Sequence, residues 1–254
     1  MQNPEKTQFG NETVTPEEKT SRVHGVFDSV ASKYDIMNDF MSGGLHRIWK
    51  DRFVRMIRPR PEHRILDVAG GTGDIAFRLH KKRQRSNATD LPPITICDLT
   101  PAMLEEGQNR AIDRGWLGGF EWISGNAEDL PFPDNHFDIY TISFGLRNVT
   151  RIDKALSEVN RVLKPGGRFF CLEFSHVETP LLSKAYDLYS HNIIPKIGEI
   201  VANDRDSYQY LVESIRKFPS ARQLENRMKN AGLKDNKHTK MNAGIVAIHQ
   251  GVAT

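Results

Sequence analysis

Cysteine is scarce: Cys97 and Cys171 are the only two in 254 residues, and each sits within an apolar, strand-like run. Buried free thiols fit that placement, and two such residues make neither a disulfide framework nor a metal-ligand set. An excess of one charge sign is also missing. Lys plus Arg number 35 against 32 for Asp plus Glu, a net charge of +3. That is too little for a general binder of polyanions, so no nucleic-acid partner is expected. Every stretch of about 18 residues carries a charged side chain, so no membrane span is expected either. The chain start lacks both a basic-then-apolar leader and an Arg-rich amphipathic stretch, which favours a cytoplasmic location, with the mitochondrial matrix as the alternative. Internal repeats and low-complexity tracts are absent. The apolar share of 38% suffices to build the core of one large soluble domain.

Residues 1–16 are polar, contain Pro, Gly and Asn without periodicity, and are expected to form a flexible arm. A single domain is expected over 17–254. Within 17–60, Val23, Val26, Phe27 and Val30, then Phe40, Met41, Leu45, Ile48 and Trp49, recur at helical spacing and predict two or three helices ahead of the first strand. From 61 to 175 short apolar runs (65–69, 94–97, 120–123, 137–143, 167–174) alternate with helical stretches near 74–83, 101–113 and 151–163. Alternation of this kind predicts an α/β fold whose mostly parallel sheet is covered on both faces. The segment 176–218 reads as a helical insertion. In it Leu182, Tyr186, Tyr189, Ile193, Ile197 and Ile200 mark one face of a long helix bent near Pro195 and Gly198. A helix near 220–231 and a hairpin from two runs, 233–240 and 243–249, complete 219–254.

Chemistry concentrates where strands end. The run Ile65-Leu66-Asp67-Val68-Ala69-Gly70-Gly71-Thr72-Gly73-Asp74 is a strand, a glycine turn and a helix start, which lets backbone approach a nucleotide ligand closely. Gly71-x-Gly73-x-x-Ala76 also satisfies the dinucleotide fingerprint, a weak signal taken alone. Charge separates the two readings: Asp67 and Asp74 would repel a pyrophosphate at this helix start but favour the cationic sulfonium and ammonium of S-adenosylmethionine. The amides of Thr72 and Gly73 are then candidates for that molecule's carboxylate, with Gly71 a further cofactor-binding candidate in the same turn. Asp98, followed by Leu99, ends the second strand and is placed to accept both ribose hydroxyls. Asn126 and Ala127 follow the third strand at an adenine edge, and Ser143 ends the fourth.

These residues resemble the class I methyltransferases, and longer patterns narrow the match. Tyr34-Asp35-x-Met37-Asn38-x-x-Met41-Ser42-x-x-x-His46-x-x-Trp49, Phe144-Gly-Leu-Arg147-Asn148-Val-Thr150 and Arg161-Val-Leu-Lys164-Pro-Gly-Gly-Arg-Phe-Phe-Cys-Leu-Glu173-Phe-Ser175 are similar to segments of the ubiquinone and menaquinone biosynthesis C-methyltransferases. The resemblance runs from about residue 9 to 249. It implies a Rossmann-like seven-stranded sheet with an N-terminal helical lid. It also implies methyl transfer from S-adenosylmethionine to a ring carbon of a polyprenylated quinol, with cofactor contacts at Thr72, Asp98, Asn126, Ala127 and Ser143. The basic loop at 81–93 is longer than in the family's pattern.

A ring carbon becomes nucleophilic when the neighbouring phenol loses its proton, and a pKa near 10 leaves little phenolate at neutral pH. A permanent charge about 4 Å away, at an effective dielectric near 20, offers on the order of 4 kcal/mol. Arg147 is therefore expected to stabilise the phenolate, Asn148 to orient it and Tyr34 to complete the hydrogen-bond network. A held water, Tyr34, Asp35 and His46 stay open as proton acceptors. His46 and Trp49 are expected mainly to pack, and Glu173 reads equally as a site residue or a core carboxylate. The Tyr-rich segment from about 181 to 201 and the stretch 46–64, with seven Lys or Arg against two acidic residues, are candidates for contact with a bilayer or a second copy. An O- or N-methyltransferase for another small aromatic, or a non-catalytic member of a quinone-biosynthesis complex, are the alternatives.

Overall fold

The computed structural model describes residues 6–30, 39, 42–84, 91–176 and 205–254. Elements follow in the order β1 (Thr7–Phe9), β2 (Glu12–Val14), α1 (Pro16–Val30), α2 (Leu45–Ile57), β3 (Ile65–Val68), α3 (Asp74–Arg83), β4 (Ile94–Asp98), α4 (Pro101–Asp113), β5 (Phe120–Ser124) and β6 (Phe137–Ser143). After these come α5 (Ile152–Val162), β7 (Leu163–Phe174), α6 (Arg205–Lys217), α7 (Ala221–Asn230), β8 (Lys234–Met241) and β9 (Val246–Val252). Tyr34 and the long helix expected over 182–200 lie outside the described residues.

Seven strands form one sheet in the order β5-β4-β3-β6-β7-β9-β8. β3 to β7 are parallel, and β9 runs antiparallel to both β7 and β8. Side chains of successive residues leave a strand on opposite faces, so an inner strand buried on both faces must be apolar throughout. β7 obeys this rule. Phe169 and Cys171 join the core with Leu156 and Val159 of α5 and Leu224 and Met228 of α7. Phe170 and Leu172 join the opposite core with Phe53 and Ile57 of α2 and Ile75 and Leu79 of α3. Both cysteines are buried and free, and burial pushes the Cys97 thiol up to about 12.

Three features go beyond the sequence reading. The described part of the expected arm forms a hairpin, β1 with β2, turned at Gly10-Asn11, with Gly10 at φ 55. It is tied down because Phe9 stacks on Tyr210 at 4.3 Å and Asn11 N donates to Glu213 at 2.9 Å. β7 begins at Leu163, so Lys164-Pro-Gly-Gly is a bulge within the strand: Leu163 pairs with Phe137, and Arg168 with Ile139. At the end of α3, the buried Arg83 donates to Pro92 O (2.7 Å), which ties the two ends of the basic loop together, and to His63 O (3.1 Å), which ties them to the segment ahead of β3.

Candidate active site

Parallel strands deliver their carboxyl ends to one edge of the sheet, and there a crevice opens. It is lined by the glycine turn after β3, Asp98, Leu99 and Thr100 after β4, Gly125–Glu128 after β5, and Ser143–Gly145 with Asn148 after β6. Thr20, Val23, His24 and Phe27 of α1 and Lys50 of α2 complete its wall. Of the cofactor candidates, Asp67, Gly71, Thr72, Asp98, Leu99, Asn126, Ala127 and Ser143 all line it. Gly73 does not.

The turn is shaped by crowding. Gly73 sits at φ 81, and a Cβ there would lie 2.9 Å from Trp122 and 3.0 Å from Phe77. Ala69 (φ 49) and Phe144 (φ 56) also occupy the left-handed region without being glycine. Such strain collects where surrounding structure over-determines the backbone, commonly at functional sites. Gly145 follows Phe144 because a Cβ would approach Ala69 Cβ to 2.4 Å.

Asp98 is preorganised as an acceptor. Its Oδ2 takes a hydrogen bond from Gly71 N (2.8 Å) and its Oδ1 one from Thr100 N (2.9 Å). Burial raises its pKa, and these backbone donors counter that effect. Each oxygen retains a lone pair toward the crevice, the arrangement two vicinal hydroxyls require. Asn126 Oδ1 accepts from Glu128 N at 2.9 Å, closing a turn. Glu128 is itself fixed by Arg151 Nε at 2.6 Å.

Two buried polar atoms on the crevice wall have no partner among the described residues: Asp67 Oδ2 and Ser143 Oγ. Native interiors rarely leave such groups unpaired, so they mark places where a ligand completes the bonding. Asp67 Oδ1 accepts from Thr141 Oγ1 at 2.7 Å. Burial first, then the charges of Asp74 and Asp98, push its carboxyl up to about 7. A cationic group held beside it would restore the ionised form. The orphaned Asp67 and Ser143 atoms, the Asp98 acceptor pair and the close glycine backbone fit S-adenosylmethionine, which supplies an electrophilic methyl on a sulfonium.

The turn amides and Asp74 behave differently from the sequence reading. Gly71 N is spent on Asp98, and Gly73 N donates to Gly70 O at 2.9 Å. Thr72 Oγ1 accepts from Arg110 Nη1 at 3.2 Å, leaving its backbone N–H for a ligand. Asp74 pairs with Lys50 Nζ (2.8 Å) and Arg78 Nε (2.9 Å). Burial would raise the Asp74 carboxyl, but these two charges outweigh it and hold it at about 2.

Arg147 and Asn148 lie in a short 3₁₀ turn after β6. Asn148 faces the crevice and accepts from Tyr210 Oη at 3.1 Å. Arg147 instead lines a second cavity, of about 600 Å³, across the same segment. Its Nη1 donates to Phe144 O and pairs with the fully buried Glu173 at 3.2 Å, with the guanidinium 5.5 Å from the Phe174 ring centroid. Its Nε is unpartnered among the described residues. Trp49 packs between Phe144 and Phe174 and donates to Asn242 Oδ1 at 2.7 Å. His46 is buried and bonded to Asp39 at 2.7 Å. Sequence reasoning passed over Lys50, His24, Thr20, Phe27 and Met103. The first four fall on lid helices whose hydrophobic spacing indicated only which face is buried.

A mostly parallel sheet with a reversed final strand, a glycine turn after its first strand and an acidic acceptor after the next together define a class I S-adenosylmethionine-dependent methyltransferase. Solved structures agree on the fold. A SAM-dependent methyltransferase from Thermotoga maritima superposes with a TM-score of 0.63 at 18% identity, over 91% of this chain and all of that one. A phosphoethanolamine N-methyltransferase from Haemonchus contortus, solved with S-adenosylhomocysteine, gives 0.64 at 16%, over 94% and 60%. The family is narrower: the model of the ubiE/COQ5 methyltransferase family matches residues 14–253, and the chain belongs to that family. Among relatives, the Ubiquinone/menaquinone biosynthesis C-methyltransferase UbiE of Ruegeria sp. is 54% identical over 96% of both chains. The human mitochondrial 2-methoxy-6-polyprenyl-1,4-benzoquinol methylase is 48% identical over 97% of this chain and 84% of that protein.

Proposed function

We propose that this enzyme methylates a ring carbon of a polyprenylated benzoquinol or demethylmenaquinol. The carrying observation is the adjacency of the acidic crevice to Asn148 and, one residue away, to the buried Arg147–Glu173 pair. Near-full-length relatives named for this chemistry support the reading. Bound S-adenosylmethionine supplies the methyl cation equivalent. Asp67, Gly71, Thr72, Asp98, Leu99, Asn126, Ala127 and Ser143 hold and orient it, with Gly73 setting the turn. Asn148, steadied by Tyr210, orients the quinol oxygen. Arg147, on the far side of the same segment, acts on the developing phenolate through its charge and not by direct contact. Glu173 shares the Arg147 charge, so the stabilisation is smaller than a lone guanidinium would give. Incubation with labelled cofactor and short-chain demethylated quinols under reducing conditions, then mass spectrometry of the ring, should find the label on carbon. Label on oxygen, or none, overturns the assignment.

No described helix is long and apolar enough to cross a membrane. For access to a bilayer-dissolved quinol we propose a peripheral contact through 46–64, where Arg52, Arg55, Arg58, Arg60 and Arg64 are exposed while Lys50 is turned inward. A cytoplasmic location at the inner membrane face fits this, with the mitochondrial inner membrane as the counterpart. Flotation with anionic vesicles tests it; no binding overturns it. A homodimer and membership of a quinone-biosynthesis complex complete the proposal, and light scattering of the purified protein tests the first.

A further inference from the structure

The carboxylate of the methionyl arm needs a counter-charge or several donors once water is excluded. The glycine turn supplies few. Gly70 N donates to Cys97 O (3.3 Å), Gly71 N to Asp98 (2.8 Å) and Gly73 N to Gly70 O (2.9 Å), so of these four amides only that of Thr72 is open. The helix start beyond it carries the ionised Asp74, which repels an anion. Among the described residues lining the crevice, one Lys or Arg is present: Lys50. It is 4% exposed. It reaches the crevice from α2, beside Thr72 and Asp74, and its ammonium has a single partner among the described residues, Asp74 Oδ2 at 2.8 Å. An ammonium has three N–H donors, so one ion pair leaves capacity for a second carboxylate.

We propose that Lys50 binds the carboxylate of the cofactor's methionyl arm, with Asp74 holding the ammonium in place. This rests on the seating of S-adenosylmethionine in this crevice. It makes a lid residue, remote from the glycine turn in sequence, part of the cofactor site. It also gives Asp74 a role other than meeting the cofactor's positive charge: the carboxylate positions the cation that meets the negative end.

Isothermal titration of the full chain with S-adenosylmethionine and with decarboxylated S-adenosylmethionine tests the contact without relying on turnover. The native protein should bind the intact molecule at least 10-fold more tightly than the decarboxylated one. Lys50→Gln should lose about 10- to 30-fold toward S-adenosylmethionine and S-adenosylhomocysteine, which share the carboxylate, yet stay within 3-fold toward the decarboxylated molecule. Lys50→Arg should keep most of the discrimination. Equal affinities of the native protein for both molecules overturn the proposal, even if Lys50→Gln fails to fold. So does a Lys50→Gln loss that is the same for both, the result expected if Lys50 only neutralises Asp74. An Asp98→Ala variant separates the two layers. If it leaves every affinity unchanged, the seating itself fails; if it weakens all of them while Lys50→Gln shows no carboxylate dependence, only the Lys50 contact fails.

Discussion

Two cavities flank the segment Phe144–Thr150, and they treat charge in opposite ways. On the crevice side, among the described residues, Asp67 Oδ2 and Ser143 Oγ are buried without partners and Asp98 accepts from backbone alone. On the other side each guanidinium has a carboxylate partner, Arg147 in Glu173, Arg151 in Glu128 and Arg227 in Asp153, with Arg147 Nε alone among their described contacts left over. Polar groups left incomplete are waiting for a ligand, whereas those completed within the chain hold the fold. Arg147 is therefore a structural residue before it is a chemical one, and any loss of activity on its removal must be read beside a measurement of stability.

The comparison can be broken most strongly at Arg147. Arg147→Ala leaves Glu173 buried and unpaired, which should cost about 3–5 kcal/mol. In a domain of this size that lowers Tm by about 6–20 °C, readable by calorimetry. Cofactor affinity of the folded protein should change by less than about 3-fold. A variant with native Tm would mean the pair holds nothing. On the crevice side the order reverses: Asp98→Ala should weaken S-adenosylmethionine binding by about 30- to 300-fold, roughly 2–3 kcal/mol.

Asp67 sharpens the contrast through pH. With its carboxyl near 7 in the free protein, about half is protonated at neutrality, and a bound cation would favour the ionised form. Binding should therefore release a proton, and affinity should rise about 10-fold from pH 6 to pH 8. Asp67→Asn should flatten that profile. Because the folded value lies above the ordinary carboxylate range, ionisation costs stability as pH climbs from about 4 through 7. Thermal denaturation of the free protein across that window should show the loss, and Asp67→Asn should remove it. The smallest effect is expected at Ser143→Ala, about 3- to 10-fold in affinity, since one neutral hydrogen bond contributes about 1 kcal/mol.

Much of this was legible in the chain. Strand ends at Asp98 and Ser143 follow from apolar runs that stop abruptly, and the glycine turn from residues few other structures need. The hairpin at 7–14 was missed although Gly10-Asn11 between Thr-Gln-Phe and Glu-Thr-Val is a two-residue turn signal; three-residue strands are too short for periodicity to show. Glu173 and Arg147 are 26 residues apart, and they meet because β6 lies beside β7, with Ser143 opposite Leu172. Such adjacency follows from the order of strands in the sheet and not from any local pattern. Lys50 follows the core residue Trp49 and reads as the polar side of an amphipathic helix until Asp74 is brought against it. The left-handed Ala69 and Phe144 leave no compositional mark at all.

Arg83, at one foot of the basic loop, donates to Pro92 O at the other and to His63 O ahead of β3, so the two ends of that loop are held together. The free-energy cost of lengthening a loop whose ends are already fixed grows only with the logarithm of its length. Evolution, or an engineer inserting a reporter peptide, can thus vary this stretch without disturbing catalysis across the sheet.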